Sequence, residues 1–247
     1  MKIVIISDIH SNYDALLEFE KKIKNISFDE IWCLGDVVGY NAEPNECVEW
    51  IKKNSKYIIM GNHDYAVLNP EEASLFNEYA KKAIEWTQRN LSQNNKLFLG
   101  TFKITLKIEN IFLVHSSPSS PLKWEYIFTL EEALYNFDFF EEKICFIGHT
   151  HIPCIFEFKE EKFKFIYPEY KDGIFSYNLH KDGKYMINPG SIGQPRDGDP
   201  RLSFCVFDLE NYEIKFFRFD YKVEEAAKKV FKSGLPNFLG QRLFIGR

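Results

Sequence analysis

The sequence predicts one α/β domain, spanning residues 1–247, in which a second β-sheet packs on a first. Two observations favour this fold. Up to about residue 60, apolar β-branched runs alternate with amphipathic segments, which is the pattern of parallel strands joined by right-handed helical crossovers. From about residue 100 onwards, short segments of alternating hydrophobicity predominate, as expected for a strand-rich sheet.

The N-terminal part is predicted to contain three strands joined by two helices. Lys2–Ser7 is a β-branched run of the kind that is buried on both faces of a sheet. Asn12 or Ser11 would cap the helix that follows. Pro44 suits the first turn of the second helix, which extends to about Lys53. The other two predicted strands are Asp29–Leu34 and Lys56–Met60.

The rest of the chain is predicted to contain three helices and nine strands. The helices are Glu71–Leu91, Thr129–Phe139 and Val223–Phe231. The tail at about 234–247 is apolar enough to dock on the body or on a partner subunit. The predicted strands are Phe102–Ile108, Ile111–His115, Ile144–Ile147, Cys154–Lys159, Lys162–Tyr167, Gly173–Leu179, Lys184–Ile187, Leu202–Leu209 and Tyr212–Tyr221.

The composition disfavours several classes of protein. The formal net charge is −5, which argues against nucleic acid as a partner because such binding depends on Lys and Arg neutralising phosphates. No apolar run reaches membrane-spanning length. The five cysteines are scattered and lack a CxxC pair, so they are interpreted as buried apolar residues of a cytoplasmic protein. Homo-oligomerisation is left open.

Five polar clusters follow predicted buried strands, which is where open α/β sheets place their functional sites. Each lies one turn beyond a strand end, so all five are expected to meet on one rim of the sheet. Five of the six histidines occur in these clusters, and only His180 lies elsewhere. The clusters are Asp8-Ile9-His10, Gly35-Asp36, Gly61-Asn62-His63-Asp64, His115 and Gly148-His149-Thr150-His151.

Taken singly, each cluster has an ordinary structural explanation, such as a helix cap, a turn or a hydrogen-bonded core histidine. Together they supply seven oxygen and imidazole donors and no thiolate, which suits Mn²⁺, Fe²⁺/³⁺, Zn²⁺ or Ni²⁺. Seven ligands are too many for one tetrahedral ion and suit two ions that share a carboxylate. The donors are Asp8, His10, Asp36, Asn62, His115, His149 and His151.

The ordered set D-x-H, G-D, G-N-H-D, H and G-H-x-H resembles the calcineurin-like metallophosphoesterase superfamily over most of the chain. Two further segments, Ser7–Asn12 and Asn188–Ser191, are similar to its small bacterial and archaeal phosphodiesterase branch, near the YfcE-like enzymes. The resemblance implies a four-layer sandwich of two mostly mixed sheets flanked by helices. It also implies a phosphoric ester hydrolase with two divalent metal ions, manganese being the first choice.

The same resemblance assigns roles to matching residues. A hydroxide shared by the two ions would attack phosphorus in line. His63 would protonate the leaving oxygen or stabilise the transition-state charge, with Asp64 orienting its ring. Asn62 and His63 would also contact the substrate. The implied ligands are Asp8, His10 and His151 for one ion, Asn62, His115 and His149 for the other, and Asp36 between them.

Three later features are candidates for substrate recognition. The turn Asn188–Gly193 either presents backbone N–H groups to an anion or simply supports the site. Arg196 would bind the substrate because a guanidinium matches two phosphate oxygens, unless it pairs with Asp197 or Asp199. The segment Trp124–Tyr126 would either wall the substrate cleft or serve in packing.

The predicted substrate is a small phosphate ester. A phosphodiester is favoured over a phosphoprotein because the compact chain shows no peptide-docking insertion. A phosphomonoesterase, a protein phosphatase or a dinucleoside polyphosphate hydrolase of the same fold remains an alternative. A non-catalytic interaction scaffold is the alternative from another class, and the presence of every ligand type together with His63 counts against it.

Overall fold

The computed structural model describes residues 1–247. Twelve strands form two six-stranded mixed sheets that pack face to face, and helices flank them. The predicted four-layer α/β fold is therefore confirmed. The strands are β1 (Lys2–Ile6), β2 (Glu30–Cys33), β3 (Tyr57–Ile58), β4 (Thr105–Ile108), β5 (Ile111–Val114), β6 (Ile144–Phe146), β7 (Cys154–Lys159), β8 (Lys162–Ile166), β9 (Ile174–Asn178), β10 (Lys184–Asn188), β11 (Leu202–Asp208) and β12 (Glu213–Phe219).

The first sheet has the order β3-β2-β1-β11-β12-β9, and the second has the order β4-β5-β6-β10-β7-β8. Parallel pairing joins β1, β2 and β3 in the first sheet and β5, β6 and β10 in the second. The other neighbours are antiparallel. Each sheet thus has a parallel part whose carboxyl ends share one edge.

Eight α-helices and four 3-10 turns complete the chain. No helix is long and apolar enough to cross a membrane. The 3-10 turns are Pro70–Leu75, Pro121–Lys123, Phe137–Phe139 and Arg242–Ile245. The helices are α1 (Tyr13–Ile23), α2 (Pro44–Asn54), α3 (Asn62–Leu68), α4 (Glu78–Asn90), α5 (Gln93–Leu99), α6 (Leu130–Asn136), α7 (Val223–Lys232) and α8 (Asn237–Gln241).

Strand β1 shows why the first strand is apolar at every position. Ile3 and Ile5 point into the layer between the two sheets, whereas Val4 and Ile6 pack in the cluster that joins the first sheet to the helices. All four are fully buried. Because successive side chains of a strand point to opposite faces, a strand covered on both sides needs apolar residues throughout. The uninterrupted run therefore marks a central strand.

The long helix predicted over Glu71–Leu91 is wrong in its first part. The chain forms the 3-10 turn Pro70–Leu75 and then begins α4, where Asn77 Oδ1 accepts a hydrogen bond from Ala80 N at 3.0 Å. An asparagine in this position caps a new helix instead of continuing an old one. Conversely, Asn62–Leu68 forms a helix where only a polar turn was predicted.

Two other differences lie between α4 and β5. Helix α5 was not predicted, because seven residues starting with Gln-Asn-Asn-Lys show no apolar period. Its start is fixed by Ser92 Oγ, which accepts from Asn95 N. The strand predicted from Phe102 begins only at Thr105, since the preceding backbone pairs with the first sheet instead, at Lys103 and Ile59.

Gly193 lies where two backbone segments touch, because a Cβ added there would be 1.7 Å from the Ile9 carbonyl oxygen. We predict that Gly193→Ala lowers the free energy of unfolding by about 2–3 kcal/mol, since the segments must separate. Denaturant unfolding measures this. Gly100→Ala is the control, because its added Cβ meets nothing closer than 3.4 Å. Equal stability of the two variants would contradict the packing described.

Candidate metal centre

Seven buried polar side chains follow the carboxyl ends of five parallel strands, where the two sheets meet. The structure brings together the side chains that the sequence indicated as metal ligands, and each is at most 7% exposed. Asp8 and His10 follow β1, Asp36 follows β2, Asn62 follows β3, His115 follows β5, and His149 and His151 follow β6.

The first set of donors comprises Asp8, His10, Asp36 and His151, whose ligand atoms lie within 4.8 Å of one another. The Nε2 atoms of His10 and His151 are 3.1 Å apart, and His151 Nε2 lies 3.2 Å from Asp8 Oδ1. Donors bonded to one ion at about 2.1 Å are separated by roughly 3.0–3.4 Å. These spacings fit a single cation.

The second set comprises Asp36, His115 and His149, again within 4.8 Å. Asp36 belongs to both sets, because its Oδ2 lies 3.5 Å from His10 Nε2 and 3.5 Å from His115 Nε2. Its other oxygen accepts a hydrogen bond from the backbone N–H of His63 at 2.8 Å. The Asp36 carboxylate is therefore positioned between two groups of donors.

Each imidazole of the two sets is held by one ring nitrogen, which is hydrogen-bonded to a backbone carbonyl. Such a bond fixes the orientation of a ligating histidine and leaves the other nitrogen free for a cation. The bonds join His10 Nδ1 to Val38 O (3.1 Å), His115 Nδ1 to Leu34 O (2.8 Å), His151 Nδ1 to Gln194 O (2.5 Å) and His149 Nε2 to Trp124 O (2.8 Å).

Three buried atoms that face the cluster lack any hydrogen-bond partner: Asp8 Oδ1, Asn62 Oδ1 and His115 Nε2. Leaving a buried polar atom unsatisfied costs about 1–3 kcal/mol, and more when the group is charged. All three are electron-pair donors when His115 is neutral, so a bound cation would satisfy them. The residues present therefore fit a metal centre.

The backbone around the cluster is strained. Asp8, His10, Asp36, His149 and His151 all have positive φ, between 49° and 67°. Left-handed backbone costs roughly 1–2 kcal/mol for a residue that has a Cβ. Five such residues in one site show that the surrounding fold, not local preference, sets the direction of these side chains.

The charges of the cluster favour cation binding. Burial opposes ionisation of Asp8, but the facing imidazoles outweigh it and hold the Asp8 pKa well below its ordinary value. The pKa of Asp36 is lowered for the same reason. Burial lowers the pKa of His149 to about 3. Burial also opposes protonation of His115, but Asp36 outweighs it and raises the His115 pKa to about 9. Cations would replace the proton that these carboxylates attract.

The cluster opens into a cavity of about 320 Å³. Trp124 and Tyr126 line it, and Trp124 also packs against the hydrophobic core on the helix side of the first sheet. Arg196 also lines it, and its Nη2 donates to Gln194 Oε1 at 3.1 Å. The alternative ion pairs of Arg196 are absent, because Asp197 pairs with Arg218 and Asp199 pairs with Arg201.

His63 lies in the cavity wall, but the expected contact with Asp64 is wrong. The two Asp64 oxygens accept hydrogen bonds from the backbone N–H groups of Val38 and Gly61, whereas His63 Nδ1 has no partner. Asp64 caps the first turn of α3 and ties it to the loop after β2. Burial, assisted by the nearby Asp36, raises the pKa of Asp64. Asp64 thus positions the His63 backbone rather than its ring.

The turn Asn188–Gly193 supports the site, and most of its N–H groups are already bonded within the protein. Ser191 Oγ donates to the Asp8 carbonyl at 2.7 Å, and Asn188 Nδ2 donates to the Gly148 carbonyl at 2.7 Å. The backbone N–H groups of residues 190, 192, 193 and 194 all donate to protein oxygens. The turn therefore clamps the loops that carry the ligands.

Sequence reasoning missed Tyr40, whose ring centroid lies 4.7 Å from that of His10 and 4.3 Å from that of His63. One signal was present, since Tyr40 lies in the loop that begins with Gly35-Asp36 and leads to α2. Gly39 in this loop has a φ of 97°, and a Cβ there would meet His63 Nδ1 at 2.5 Å. No local signal indicated that Arg242 approaches Tyr40 from the tail.

The chain is similar to several known proteins. Residues 1–212 match the family model of the calcineurin-like phosphoesterase superfamily domain. An uncharacterised protein of Methanocaldococcus jannaschii is 40% identical over 250 residues, which cover 99% of this chain and 98% of that protein. The crystal structure of a metallophosphoesterase from Sphaerobacter thermophilus superposes with a TM-score of 0.86 at 34% identity, covering 100% and 99% of the two chains.

A shorter match joins the chain to the symmetrical bis(5'-nucleosyl)-tetraphosphatase of Actinobacillus pleuropneumoniae serotype 5b. The two are 37% identical over 71 residues, which amount to 28% of this chain and 26% of that protein. The family-model match and the full-length relatives extend over the strands and loops that build the cluster described above. The chain therefore belongs to the calcineurin-like phosphoesterase superfamily and is a phosphoester hydrolase.

Proposed function

We propose that the chain is a phosphodiesterase that works with two divalent metal ions. The observation that carries this proposal is the convergence of buried, unpartnered donor atoms on both sides of the Asp36 carboxylate. Two donor sets with one shared carboxylate match the requirements of a dinuclear site. The proposed ligands are Asp8, His10 and His151 for one ion, Asn62, His115 and His149 for the other, and Asp36 for both.

The donor types favour manganese, with iron, zinc or nickel as alternatives. Carboxylate, amide and imidazole groups suit these ions, whereas a sulfur-bound site would need thiolates. All five cysteines are buried without disulfide partners, and none belongs to the donor sets. When bound, the two ions supply Lewis acidity towards phosphoryl oxygens and lower the pKa of a shared water.

The chain's own side chains would then bind and orient the ester. Arg196 reaches the cavity without a carboxylate partner, so its guanidinium is available for phosphate oxygens of the substrate. The neutral amide of Asn62 faces the same cavity and adds no charge that would repel the substrate. His63 is the proposed general acid, which would protonate the leaving oxygen from the cavity wall.

The alternatives differ in what they require of the cavity. A short local match favours a dinucleoside polyphosphate hydrolase as the second candidate. A phosphomonoesterase would use the same donors with a smaller substrate. A non-catalytic scaffold has no use for buried, unpartnered donors, which cost stability when they stay unpaired.

Metal-dependent turnover tests the proposed function. Metal-stripped protein reloaded with Mn²⁺ is expected to hydrolyse bis-p-nitrophenyl phosphate faster than p-nitrophenyl phosphate. His63→Ala should lower kcat by roughly 10²–10³-fold on a diester with an alkoxide leaving group, because general acid catalysis is lost. The loss should be smaller with nitrophenyl esters, whose phenolate departs readily without a proton. Steady-state kinetics with both leaving groups measure the difference.

His180→Ala is the matched control, because His180 is exposed and lies outside the cluster. It should retain the activity of the unchanged protein. Two bound metal ions without turnover of any ester would contradict the proposed phosphodiesterase. A His63→Ala defect that is identical for both leaving groups would contradict the general-acid role while leaving the metal site intact.

The shared carboxylate provides a separate test. Asp36→Asn should reduce bound manganese from two ions per chain to one or none, because a neutral amide bridges two cations poorly. Elemental analysis after gel filtration measures the ratio. Added Mn²⁺ should also raise the thermal midpoint of the unchanged protein but not that of the variant. The control is Asp138→Asn, an exposed carboxylate without an ion-pair partner. Two tightly bound ions in Asp36→Asn would contradict the assignment.

A further inference from the structure

Two guanidinium groups approach the ring of Tyr40, which lines the cavity. The Cζ atoms of Arg196 and Arg242 are 5.7 Å and 5.6 Å from the centroid of the Tyr40 ring. Neither arginine forms an ion pair with an Asp or Glu side chain, in contrast to Arg201 and Arg218. Arg242 Nε donates to the backbone oxygen of Arg247, and Arg196 Nη2 donates to Gln194 Oε1 and to the Tyr40 hydroxyl. Burial and the charge of Arg196 lower the pKa of Arg242 to about 10. Their mutual repulsion is therefore not relieved by any acidic side chain.

This arginine pair is adjacent to the metal ligands but separate from them. The Tyr40 ring stands between, in edge contact with the His10 ring at 4.7 Å between centroids. Arg196 lines the same cavity as Asp36 and His151, and its Nε is buried without a hydrogen-bond partner. Arg196 Nε is thus a free donor at a position next to, not within, the proposed metal centre.

The tail is built to hold Arg242 at this place. Leu239 and Leu243 on either side of it are buried in the body. Gly198 N, in the loop that carries Arg196, donates to Gly246 O at 2.9 Å. Gly246 has a φ of 61°, and a Cβ there would lie 2.6 Å from the Asp199 backbone. Arg242 lies outside residues 1–212, the part of the chain that matches the family model.

We propose that Arg196 and Arg242 bind a second phosphate group of the substrate, next to the phosphoryl group at the metal centre. The substrate class is then a diphosphate or polyphosphate ester, in which the attacked phosphorus carries one ester substituent and one phosphate substituent. Guanidinium groups recognise phosphate through paired, charge-assisted hydrogen bonds. In a chain of net charge −5, two arginines that contact one cavity-lining ring without an Asp or Glu partner are a local feature rather than part of a cationic surface.

The inference rests on the proposed function, but its test does not need turnover. Isothermal titration of the Mn²⁺-loaded full chain with adenosine monophosphate and adenosine diphosphate, at constant excess free Mn²⁺, isolates the effect of one added phosphate. The unchanged protein should bind the diphosphate at least roughly tenfold more tightly than the monophosphate, since one charge-assisted hydrogen bond has about that value.

Arg242→Gln should bring the ratio of the two affinities close to one while leaving monophosphate binding nearly unchanged. Arg242→Lys should recover part of the ratio, because the charge is restored without the planar fork. The matched control is Arg89→Gln, which removes the same charge from an exposed position on α4, and it should keep the full ratio.

Three results would overturn the inference: equal affinities in the unchanged protein, an unchanged ratio in Arg242→Gln, or an equal loss in Arg89→Gln. Gly246→Val adds an independent check, since it keeps both arginines but displaces the tail, and it should reproduce the Arg242→Gln ratio. Failure of bis-p-nitrophenyl phosphate turnover with the affinity ratio intact would contradict the proposed phosphodiesterase and leave the second anion site standing.

Discussion

The structure depends on one electrostatic constraint, which is the burial of two carboxylates and four imidazoles in a single pocket. Removing a charged carboxylate from water is costly unless an opposite charge compensates it. Here Asp8 and Asp36 face imidazoles, whose protonation can compensate only part of the negative charge. Several donor atoms of the pocket also lack a hydrogen-bond partner. Two divalent cations would supply the missing positive charge and would coordinate the free lone pairs. The remainder of the site is arranged around that requirement.

The two sheets meet this requirement by fixing the backbone conformation of the loops that carry the ligands. They do not supply further side chains as hydrogen-bond partners for the ligands. Strained left-handed residues turn the ligands inward, and carbonyl groups of neighbouring loops orient the imidazoles. The turn after β10 binds the loops after β1 and β6 through Ser191 and Asn188. The site is therefore a joint product of both sheets. A change in the packing between the two sheets would therefore first displace the ligands.

Much of the fold could be predicted from the sequence because its strongest signals are local. The apolar run of β1 and the polar groups that follow each strand can be recognised in the sequence without tertiary information. The division of the ligands into two sets came from family resemblance, and the geometry is compatible with it. Some of what failed depended on contacts distant in sequence. The interpretation of Asp64 was wrong because its partners are backbone N–H groups, one of them 26 residues away.

The position of Arg242 could not be predicted for the same reason. It meets Tyr40 only because the tail returns to the loop that contains Arg196. The helix predicted over Glu71–Leu91 was wrong for a different reason. Asn77 is a local signal for the start of α4, but the helical pattern on both sides of it obscured that signal. Two kinds of feature therefore could not be predicted from the residues alone. One is the position of residues that meet only through long-range contacts, and the other is whether a helical pattern continues or is interrupted by a new N-cap.

Anomalous diffraction from crystals of the manganese-loaded protein would test the central claim most directly. Two peaks on opposite sides of the Asp36 carboxylate are predicted, one contacting His10 and His151 and the other contacting His115 and His149. Their separation should be about 3.5–4 Å, as expected when two ions share a bridging oxygen. A single peak, or two peaks that do not share Asp36, would contradict the dinuclear site and the mechanism proposed from it.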